Sequence, residues 1–306
     1  MNIVNVIVGP TSSGKTRLAL DLCQKHNGAI ISADSRQIFK FMDVGTGKLP
    51  LNVSGKINKE DKVWNINGVD IWGYDLATPD VYFSAHEFAQ FAISKAKELM
   101  GEGKMVFIVG GTGFYIDVLT NRISLTGAAP NFELRNILET VPTPNLQIWL
   151  TSLNQNKFET IDVNNRARLI RAIEIELGEK SSYTTPLPLL ENAIFNFIGI
   201  TSSRDYLYSK VDSWVDSIWE NGLFEETKHL LNAGFANSRP MHGLIYKSVV
   251  ALINGEQEPP FALERIKFDL HAYIRRQETW FKKNNQIHWL DAQDTNLSQI
   301  ASNLVS

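Results

Sequence analysis

Residues 3–34 read IVNVIVGPTSSGKTRLALDLCQKHNGAIISAD, and this stretch decides the fold. It opens with a short apolar run rich in β-branched residues, which predicts a fully buried strand. Between Lys15 and Lys25 the apolar side chains recur at helical spacing, and the Asn27-Gly28 pair that follows is typical of a helix end. A second buried strand is predicted for 29–33. A strand, a helix and a strand in this order predict a parallel βαβ unit.

The same alternation continues further along the N-terminal third. The apolar residues of 84–100 recur at helical spacing, and Ser84 can act as the N-cap of the predicted helix. A buried strand is predicted for 105–109, where the apolar run ends at Gly110-Gly111. These elements predict a parallel sheet with helices on both faces.

The stretch 119–193 is richer in proline and predicts a mostly helical insertion, with one helix at about 164–177. A strand is predicted for 195–201, and the remainder of the chain is predicted to be helical. The fold class is therefore α/β. We expect a core made of 1–118 and 194–306, with a parallel sheet flanked by helices, and an inserted helical subdomain at 119–193.

The composition is that of an ordinary globular protein, with 306 residues, 43% hydrophobic and 21% charged. No stretch approaches the roughly 20 apolar residues of a membrane span, and the apolar start is too short for a signal peptide and lacks a basic leader. The single cysteine, Cys23, excludes an internal disulfide and is predicted to be a small core residue. We expect a cytoplasmic monomer with no membrane association.

The net charge of −3 is not that of a typical nucleic-acid-binding domain. Any RNA contact must therefore come from local basic clusters, and the chain has two of them. On charge alone, a solvated helix face is the favoured interpretation of both. The clusters are Arg166, Arg168 and Arg171, and Arg275, Arg276, Lys282 and Lys283.

The segment GPTSSGKT fits the P-loop pattern G-x-x-x-x-G-K-[ST], and it joins a predicted strand to a predicted helix. Glycines allow the backbone to curl so that several N–H groups point at one anion, and the helix N-terminus adds partial positive charge. Lys15 can bridge phosphate oxygens, and the Thr16 hydroxyl can bind Mg²⁺. The motif predicts a phosphate site without identifying the compound. Its residues are Gly9, Pro10, Thr11, Ser12, Ser13, Gly14, Lys15 and Thr16.

Asp34 follows the second predicted strand, at the same edge of the sheet as the P-loop. Ligands of open parallel sheets bind at the carboxyl ends of the strands, so this side chain is expected beside a bound phosphate. A carboxylate there can hold Mg²⁺ through water or act as a general base. Asp is also a good helix N-cap, and that structural alternative stays open.

A third loop, Gly110-Gly111-Thr112-Gly113, follows the strand predicted at 105–109. Its glycines allow close approach of backbone to a ligand, although a tight strand-to-helix turn has the same pattern. The strand leads into glycines and not into a metal-binding Asp, which argues against an ATPase motor.

Taken together, these segments resemble the bacterial tRNA dimethylallyltransferase family in order and spacing. The resemblance extends over almost the whole chain and is much more specific than a P-loop. The segments that carry it are GPTSSGKT at 9–16, ISADSRQ at 31–37, MDVGTGK at 42–48, VGGTGFY at 109–115, NNRARLIRAIE at 164–174 and RQETWF at 276–281.

The resemblance implies transfer of a dimethylallyl group from dimethylallyl diphosphate to N6 of the adenosine on the 3′ side of the anticodon. Asp34 would accept the N6 proton, and the P-loop with Mg²⁺ on Thr16 would stabilise the departing diphosphate. Thr112 and Arg135 would line the channel where the substrates meet. Arg204 is a further diphosphate candidate.

The resemblance also implies a tRNA anticodon stem-loop as partner, with the target base flipped out of its stack. The adenosine would be met by Asp34, Ser35, Arg36 and Gln37. Of these, Gln37 could read the base, because Gln can pair with an adenine edge. A polar loop residue is the alternative for Gln37. The remaining implied tRNA contacts are Thr112, Arg135, Asn164, Asn165, Arg166, Arg168, Arg275, Gln277 and Lys282.

The sequence departs from the family pattern at several places, among them Trp72-Gly73-Tyr74, where the family commonly has histidines. Asn164-Asn165 stands where the family has Asn-Asp, and 245–248 read IYKS where the family reads close to GYKE. Rival functions are a P-loop small-molecule kinase, prenyl transfer to free AMP or ADP, and an inactive RNA-binding protein. The helical insertion and the RQETWF segment argue against a kinase. The tRNA-facing segments argue against a free nucleotide as acceptor. Inactivity is disfavoured by the intact Lys15, Thr16 and Asp34.

Overall fold

The computed structural model describes residues 2–49, 56–125, 128, 130–178, 190 and 193–305. The chain divides into two compact units, Met1–Ile123 with Leu190–Ser306, and Ser124–Leu189. The end of the predicted insertion, from 179 to 189, lies outside the described residues.

The described residues of the larger unit form eight strands in one sheet. They are β1 (Asn2–Val8), β2 (Gly28–Ser32), β3 (Ile57–Glu60), β4 (Val63–Ile66), β5 (Val69–Trp72), β6 (Met105–Gly110), β7 (Ala193–Thr201) and β8 (His288–Asp291). The order across the sheet is β3-β4-β5-β2-β6-β1-β7-β8. Pairing is parallel from β5 to β8, which confirms the predicted parallel sheet, and an antiparallel meander of β3, β4 and β5 extends one edge.

In the part of the larger unit that the structure describes, eight α-helices lie around this sheet or in the helical region that follows β7. They are α1 (Lys15–His26), α2 (Ala85–Gly101), α3 (Gly113–Leu119), α8 (Arg204–Glu220), α9 (Leu223–Asn232), α10 (Leu244–Ile253), α11 (Pro259–Phe281) and α12 (Leu297–Leu304). The smaller unit holds α4 (Phe132–Thr140), α5 (Thr143–Leu153), α6 (Gln155–Thr160) and α7 (Arg166–Leu177). None of the helices in the described part of the chain is both long and apolar enough to cross a bilayer.

The prediction that everything after residue 201 is helical is wrong at β8. This strand pairs in parallel with β7, with Ile198 opposite His288. Its four residues are exposed or half-buried, so the segment lacks the apolar run by which buried strands are recognised. The meander β3–β5 was also not predicted, because its strands have only four residues each.

Local sequence explains where the helices beside the site begin and end. Ser84 caps α2 as predicted, and a capping box joins its backbone N–H to the Glu87 carboxylate at 2.8 Å. At the C-terminal end of α1, Asn27 adopts the left-handed conformation and its N–H bonds to the Cys23 carbonyl. Cys23 is 2% exposed, which confirms it as a core residue, and burial raises the pKa of its thiol.

The sheet packs on α1 and α2 through side chains of β1 and β6 that are almost entirely buried. Each fully buried aliphatic side chain contributes about 1.5–3 kcal/mol to stability, so the strand ends that carry the loops rest on a rigid base. A second core lies between α8, α9, α10 and α11. In the smaller unit, α4, α5 and α7 pack around Leu138, Leu146, Leu150, Leu169 and Ile173.

Candidate active site

The loop 9–16 leaves β1 and enters α1 with the backbone shape that an anion site requires. Ser12 and Gly14 have positive φ angles of 62° and 88°, and the Ser13 N–H bonds to the Pro10 carbonyl at 3.3 Å. A Cβ built on Gly14 would meet no atom within 4 Å, so the space before the helix N-terminus is open. Backbone N–H groups and the helix dipole favour negative charge there.

Lys15 lies folded across its own loop, with Nζ donating to the Pro10 carbonyl at 2.6 Å. Burial of the ammonium lowers its pKa to about 8, and the negative charge of Asp34 opposes this shift. Thr16 is half-buried on the first turn of α1. The Ser13 hydroxyl is buried and has no hydrogen-bond partner among the described residues, as expected of a loop shaped around a ligand.

Asp34 stands just past the end of β2 and is half-buried. Its Oδ1 accepts the Arg36 N–H at 3.0 Å, whereas Oδ2 accepts no hydrogen bond from the residues that the structure describes. No helix follows Asp34, so the N-cap alternative does not apply; the side chain forms a local turn instead. One carboxylate oxygen therefore remains available for a proton or a ligand.

The turn after β6 is joined to the segment after β2. The Oγ1 of Thr112 accepts the Ser35 N–H at 3.0 Å, and the Thr112 N–H donates to the Ala33 carbonyl at 3.2 Å. A Cβ on Gly110 would lie 2.2 Å from that same carbonyl oxygen, so only glycine permits this approach. On α11, burial raises the pKa of the Tyr273 phenol.

Gln277 on α11 bonds to both phosphate-side loops. Its Oε1 accepts the Thr11 N–H at 2.9 Å, and its Nε2 donates to the Gly111 carbonyl at 3.0 Å. The side chain is 4% exposed. Contact of Gln277 with tRNA stays a prediction. In the structure the Gln277 side chain lies in the protein interior.

The other basic residues of the larger unit that were predicted to bind diphosphate or tRNA belong to α8 and α11. Arg204, half exposed at the start of α8, donates from Nε to Glu278 at 3.0 Å. Arg275 donates from Nη1 to the Tyr208 hydroxyl at 2.9 Å, and Lys282 is exposed at the end of α11. Arg204 is anchored by an ion pair, and Lys282 points to solvent.

A cavity of about 570 Å³ is lined by Ser35, the residue after Asp34. Ser35 and Thr112, which are joined to each other, both line it, as do Arg36 and Arg239. Much of the remaining lining is aromatic, contributed by Phe39, Tyr82, Phe83, Phe114, Tyr115 and Tyr246. Such a lining suits a planar, partly polar ligand.

Comparison with known families identifies this arrangement. Residues 37–284 match the family described as IPP transferase, and residues 2–70 match isopentenyl transferase. The chain belongs to the IPP transferase family. Since the family is one of prenyltransferases, the prediction of an enzyme of this class is confirmed.

Similar IPP transferases cover nearly the whole chain. A tRNA dimethylallyltransferase of Acetivibrio thermocellus is 35% identical over 302 residues, 95% of this chain and 92% of that protein. One from Staphylococcus epidermidis is 34% identical over 311 residues, 98% and 90% of the two chains. These relatives confirm the resemblance seen in the motifs.

Solved structures of the family have the same fold. The crystal structure of a tRNA Δ2-isopentenylpyrophosphate transferase from Staphylococcus epidermidis matches with a TM-score of 0.69 at 32% identity, covering 99% of this chain and 97% of that chain. A eukaryotic dimethylallyltransferase acting on tRNA matches with a TM-score of 0.76 at 23% identity, covering 98% and 78%. The latter likeness concerns the fold alone.

In this IPP transferase the residues after Asp34 are already bonded to the protein. The Gln37 amide donates to the carbonyls of Thr46 and Gly47, both at 3.2 Å, and accepts from the Ser32 hydroxyl at 2.7 Å. The Arg36 guanidinium lies 4.5 Å above the Tyr273 ring. Reading of an adenine edge by Gln37 stays a prediction, and it would require exchange of these bonds.

Glu226 of α9 is a site residue that sequence reasoning missed. Its carboxylate accepts three successive backbone N–H groups, those of Asp43 and Val44 at 2.7 Å and of Gly45 at 2.9 Å. It also accepts the Tyr246 hydroxyl at 2.7 Å. Gly45 and Tyr246 line the cavity, so Glu226 fixes part of its wall. No local motif pairs a helix residue with a loop so distant in sequence.

The predicted channel residue Arg135 lies in the smaller unit and pairs with Glu174. Two guanidinium nitrogens donate to the Glu174 carboxylate at 2.8 and 2.9 Å. Glu174 is 1% exposed and also bonds Arg171 and the Asn131 N–H. Burial opposes ionisation of Glu174, but these hydrogen bonds together hold its pKa below the usual value.

The other predicted tRNA residues of the smaller unit lie around the start of α7. Asn165 caps this helix by accepting the Arg168 N–H at 3.2 Å, a function for which Asn is well suited. Arg166 donates to the carbonyls of Leu138, Glu139 and Val141 at the end of α4. Asn164 and Arg168 are exposed.

Proposed function

We propose that this protein transfers a dimethylallyl group from dimethylallyl diphosphate to N6 of the adenosine 3′-adjacent to the anticodon in tRNA. One observation carries the proposal: Asp34 is close enough to Lys15 to act on its charge, and it adjoins Ser35, which lines the aromatic cavity. An anion loop, a carboxylate with a free oxygen and a base-sized cavity thus share one edge of the sheet. The names of the similar proteins support the same reaction.

The donor diphosphate binds in the loop 9–16. Lys15 leaves the Pro10 carbonyl and bonds the phosphate oxygens, while the α1 N-terminus adds partial positive charge. Arg204 lies at the start of α8, just after β7, the strand paired with β1, and is a further donor to the diphosphate. These cations stabilise the negative charge that grows on the leaving group.

The residues at the loop fit a Mg²⁺ ion that is held partly by the substrate. Thr16 offers a hydroxyl on the first helical turn, next to the open space at Gly14. The described residues contain no group of three or more His, Cys, Asp or Glu side chains that could hold a metal, so diphosphate oxygens and water would complete its coordination. When bound, Mg²⁺ supplies positive charge beside the departing diphosphate.

The acceptor is a flipped adenosine that enters the cavity of about 570 Å³. Unstacking a base from a single-stranded loop costs only a few kcal/mol, which stacking on aromatic side chains can offset. Ser35, Arg36 and Thr112 line this cavity, and Gln37 would read the base edge after exchange of its present bonds. Arg275, Lys282 and, in the smaller unit, Asn164 and Arg168 contact the RNA backbone.

The chemistry is a substitution at the allylic carbon. The N6 lone pair forms the new carbon–nitrogen bond, and the bond between that carbon and the diphosphate oxygen breaks, with its electron pair leaving on the diphosphate. Asp34 accepts the N6 proton on its free oxygen, a function that typically contributes about 10²–10⁴-fold in rate. The products are the prenylated tRNA and pyrophosphate, and no ATP is consumed.

One assay separates this function from its rivals. Radiolabelled dimethylallyl diphosphate or ATP is incubated with tRNA, with AMP or without acceptor. We expect prenyl label only in tRNA and no use of ATP. Consumption of ATP would indicate a kinase, label in AMP a free-nucleotide transferase, and no transfer an RNA-binding protein. A monomer in the cytoplasm, where tRNA is found, belongs to the same proposal.

A further inference from the structure

The long helix α11 meets the phosphate-side loops through one buried amide. Gln277 is 4% exposed, and its two polar atoms are bonded to two different loops, at Thr11 and at Gly111. Neither bond is part of regular secondary structure. The amide therefore fixes the start of the P-loop to the turn after β6.

The shape of the turn is adapted to this contact. A Cβ built on Gly111 would lie 2.3 Å from Nε2 of Gln277, a distance that real Cβ atoms do not tolerate. A glycine at this position thus leaves room for the amide. The two neighbouring positions on α11 are also engaged, since Glu278 pairs with Arg204 and Arg276 lies 5.6 Å over the Tyr273 ring.

From this geometry we propose that Gln277 is a positioning residue for the diphosphate site, acting through the backbone of the P-loop and not through tRNA. Its acceptor oxygen holds Thr11 N–H in place, two residues before the first buried serine of the loop. Its donor fixes the distance between that loop and the turn that carries Thr112. The inference rests on the proposed function only in taking a diphosphate as the ligand of the loop.

The test uses Mg²⁺–pyrophosphate as the binding probe and the full chain throughout. Gln277→Met keeps the length of the side chain and removes both hydrogen bonds. We expect pyrophosphate to bind about tenfold or more weakly, measured by isothermal titration calorimetry. In steady-state assays we expect a higher KM for dimethylallyl diphosphate and a lower kcat, with the KM for tRNA changed by less than about twofold.

Two further variants make the assignment specific. Thr279→Ala removes an exposed side chain of the same helix that bonds only the Arg275 carbonyl, and it should leave both binding steps unchanged. Gly111→Ala disturbs the same contact from the turn after β6, because the added Cβ displaces the amide of Gln277. Because both changes break one contact, the double variant Gly111→Ala/Gln277→Met should lose less affinity than the sum of the single losses. If Gln277→Met does not fold, Gly111→Ala carries the measurement.

The outcomes are distinct. Unchanged pyrophosphate binding with a raised KM for tRNA would make Gln277 a tRNA contact and overturn the inference, as would unchanged values throughout. Wild-type protein that does not bind pyrophosphate would overturn the donor site of the proposed function and this inference with it. Wild-type binding that is lost in Lys15→Ala but unaltered in Gln277→Met and Gly111→Ala would overturn this inference alone.

Discussion

The backbone N–H of Ser35 donates to Oγ1 of Thr112 at 3.0 Å. This bond joins the segment that carries Asp34 to the turn after β6, and both residues line the cavity. The position of the carboxylate proposed as general base therefore depends on a hydroxyl from another strand end. Thr112→Val is nearly isosteric and removes the acceptor, which leaves the Ser35 N–H unsatisfied.

For Thr112→Val we expect a loss of about 1–3 kcal/mol in the free energy of unfolding, and a fall in kcat because Asp34 is less well held. Urea unfolding and steady-state kinetics measure the two effects. Thr112→Ser keeps the hydroxyl and should retain most of both. Equal kcat for the Val and Ser variants would contradict the proposed dependence.

Asp34→Asn tests the general base directly. The amide preserves the local turn but cannot accept a proton, so kcat should fall by about 10²–10⁴-fold. Binding of Mg²⁺–pyrophosphate should stay close to wild type in calorimetry. Asp61→Asn is the control, because Asp61 is an exposed partner of Lys40. Wild-type turnover by Asp34→Asn would remove the general-base function.

The lowered pKa of Lys15, about 8, predicts a pH limit on donor capture. The ammonium binds diphosphate only when protonated, so kcat/KM for dimethylallyl diphosphate should fall as pH rises through about 8 in the free enzyme. In Lys15→Arg the cation persists to high pH, so this decrease of kcat/KM should disappear even if the rate is lower at every pH. A decrease of kcat/KM at the same pH in both enzymes would show that another group titrates.

The same shift has a consequence for folding. Because the folded pKa of Lys15 lies below its unfolded value of 10.5, the unfolded chain binds more protons between these two values. The contribution of Lys15 to stability therefore increases with pH across that window. Urea midpoints of wild type and Lys15→Met at pH 7 and pH 9.5 measure it, and the midpoint of the wild type relative to that of the variant should rise at the higher pH.

Glu226→Gln tests the wall of the cavity. The amide has one oxygen for three backbone N–H groups, so at least one of them loses its partner. We expect destabilisation of about 1–3 kcal/mol and a higher KM for tRNA, with pyrophosphate binding retained. Glu225→Gln is the matched control, since the neighbouring Glu225 is exposed. An equal response of the two variants would show that the loop is held in another way.

Glu174 predicts acid sensitivity of the smaller unit. Its folded pKa lies below the usual value, so its ionised form contributes stability above the unfolded pKa, and this contribution is lost as pH falls through the folded pKa. Glu174→Gln should be less stable than wild type at pH 7 and should approach it in more acid solution. Parallel unfolding curves at pH 7 and pH 3.5 for the two proteins would contradict this account.

The parts that sequence predicts are those in which one segment carries the whole signal. The P-loop, the strand before it and the helix after it are specified within 32 residues, so both the elements and the position of Lys15 could be predicted. Asp34 and Thr112 follow from one rule on strand ends, which the structure satisfies by joining the two segments. The cap at Ser84 is equally local.

What could not be predicted depends on contacts between distant segments. Glu226 is one of two adjacent glutamates, and only the folded chain shows that it receives three loop N–H groups. Gln277 belongs to a recognised segment, yet its bonds to Thr11 and Gly111 follow from how α11 crosses the loops. β8 is a strand because β7 offers it a free edge, and its own four residues carry no such pattern.

The bond between Gln277 and Thr11 has a consequence for biosynthesis. The two residues are 266 positions apart, so a nascent chain that leaves the ribosome exposes its phosphate-binding loop long before the amide that holds it is translated. A partly made polypeptide could form the first βαβ unit but not a finished catalytic centre. Prenyl transfer would therefore begin only after α11 has emerged and docked.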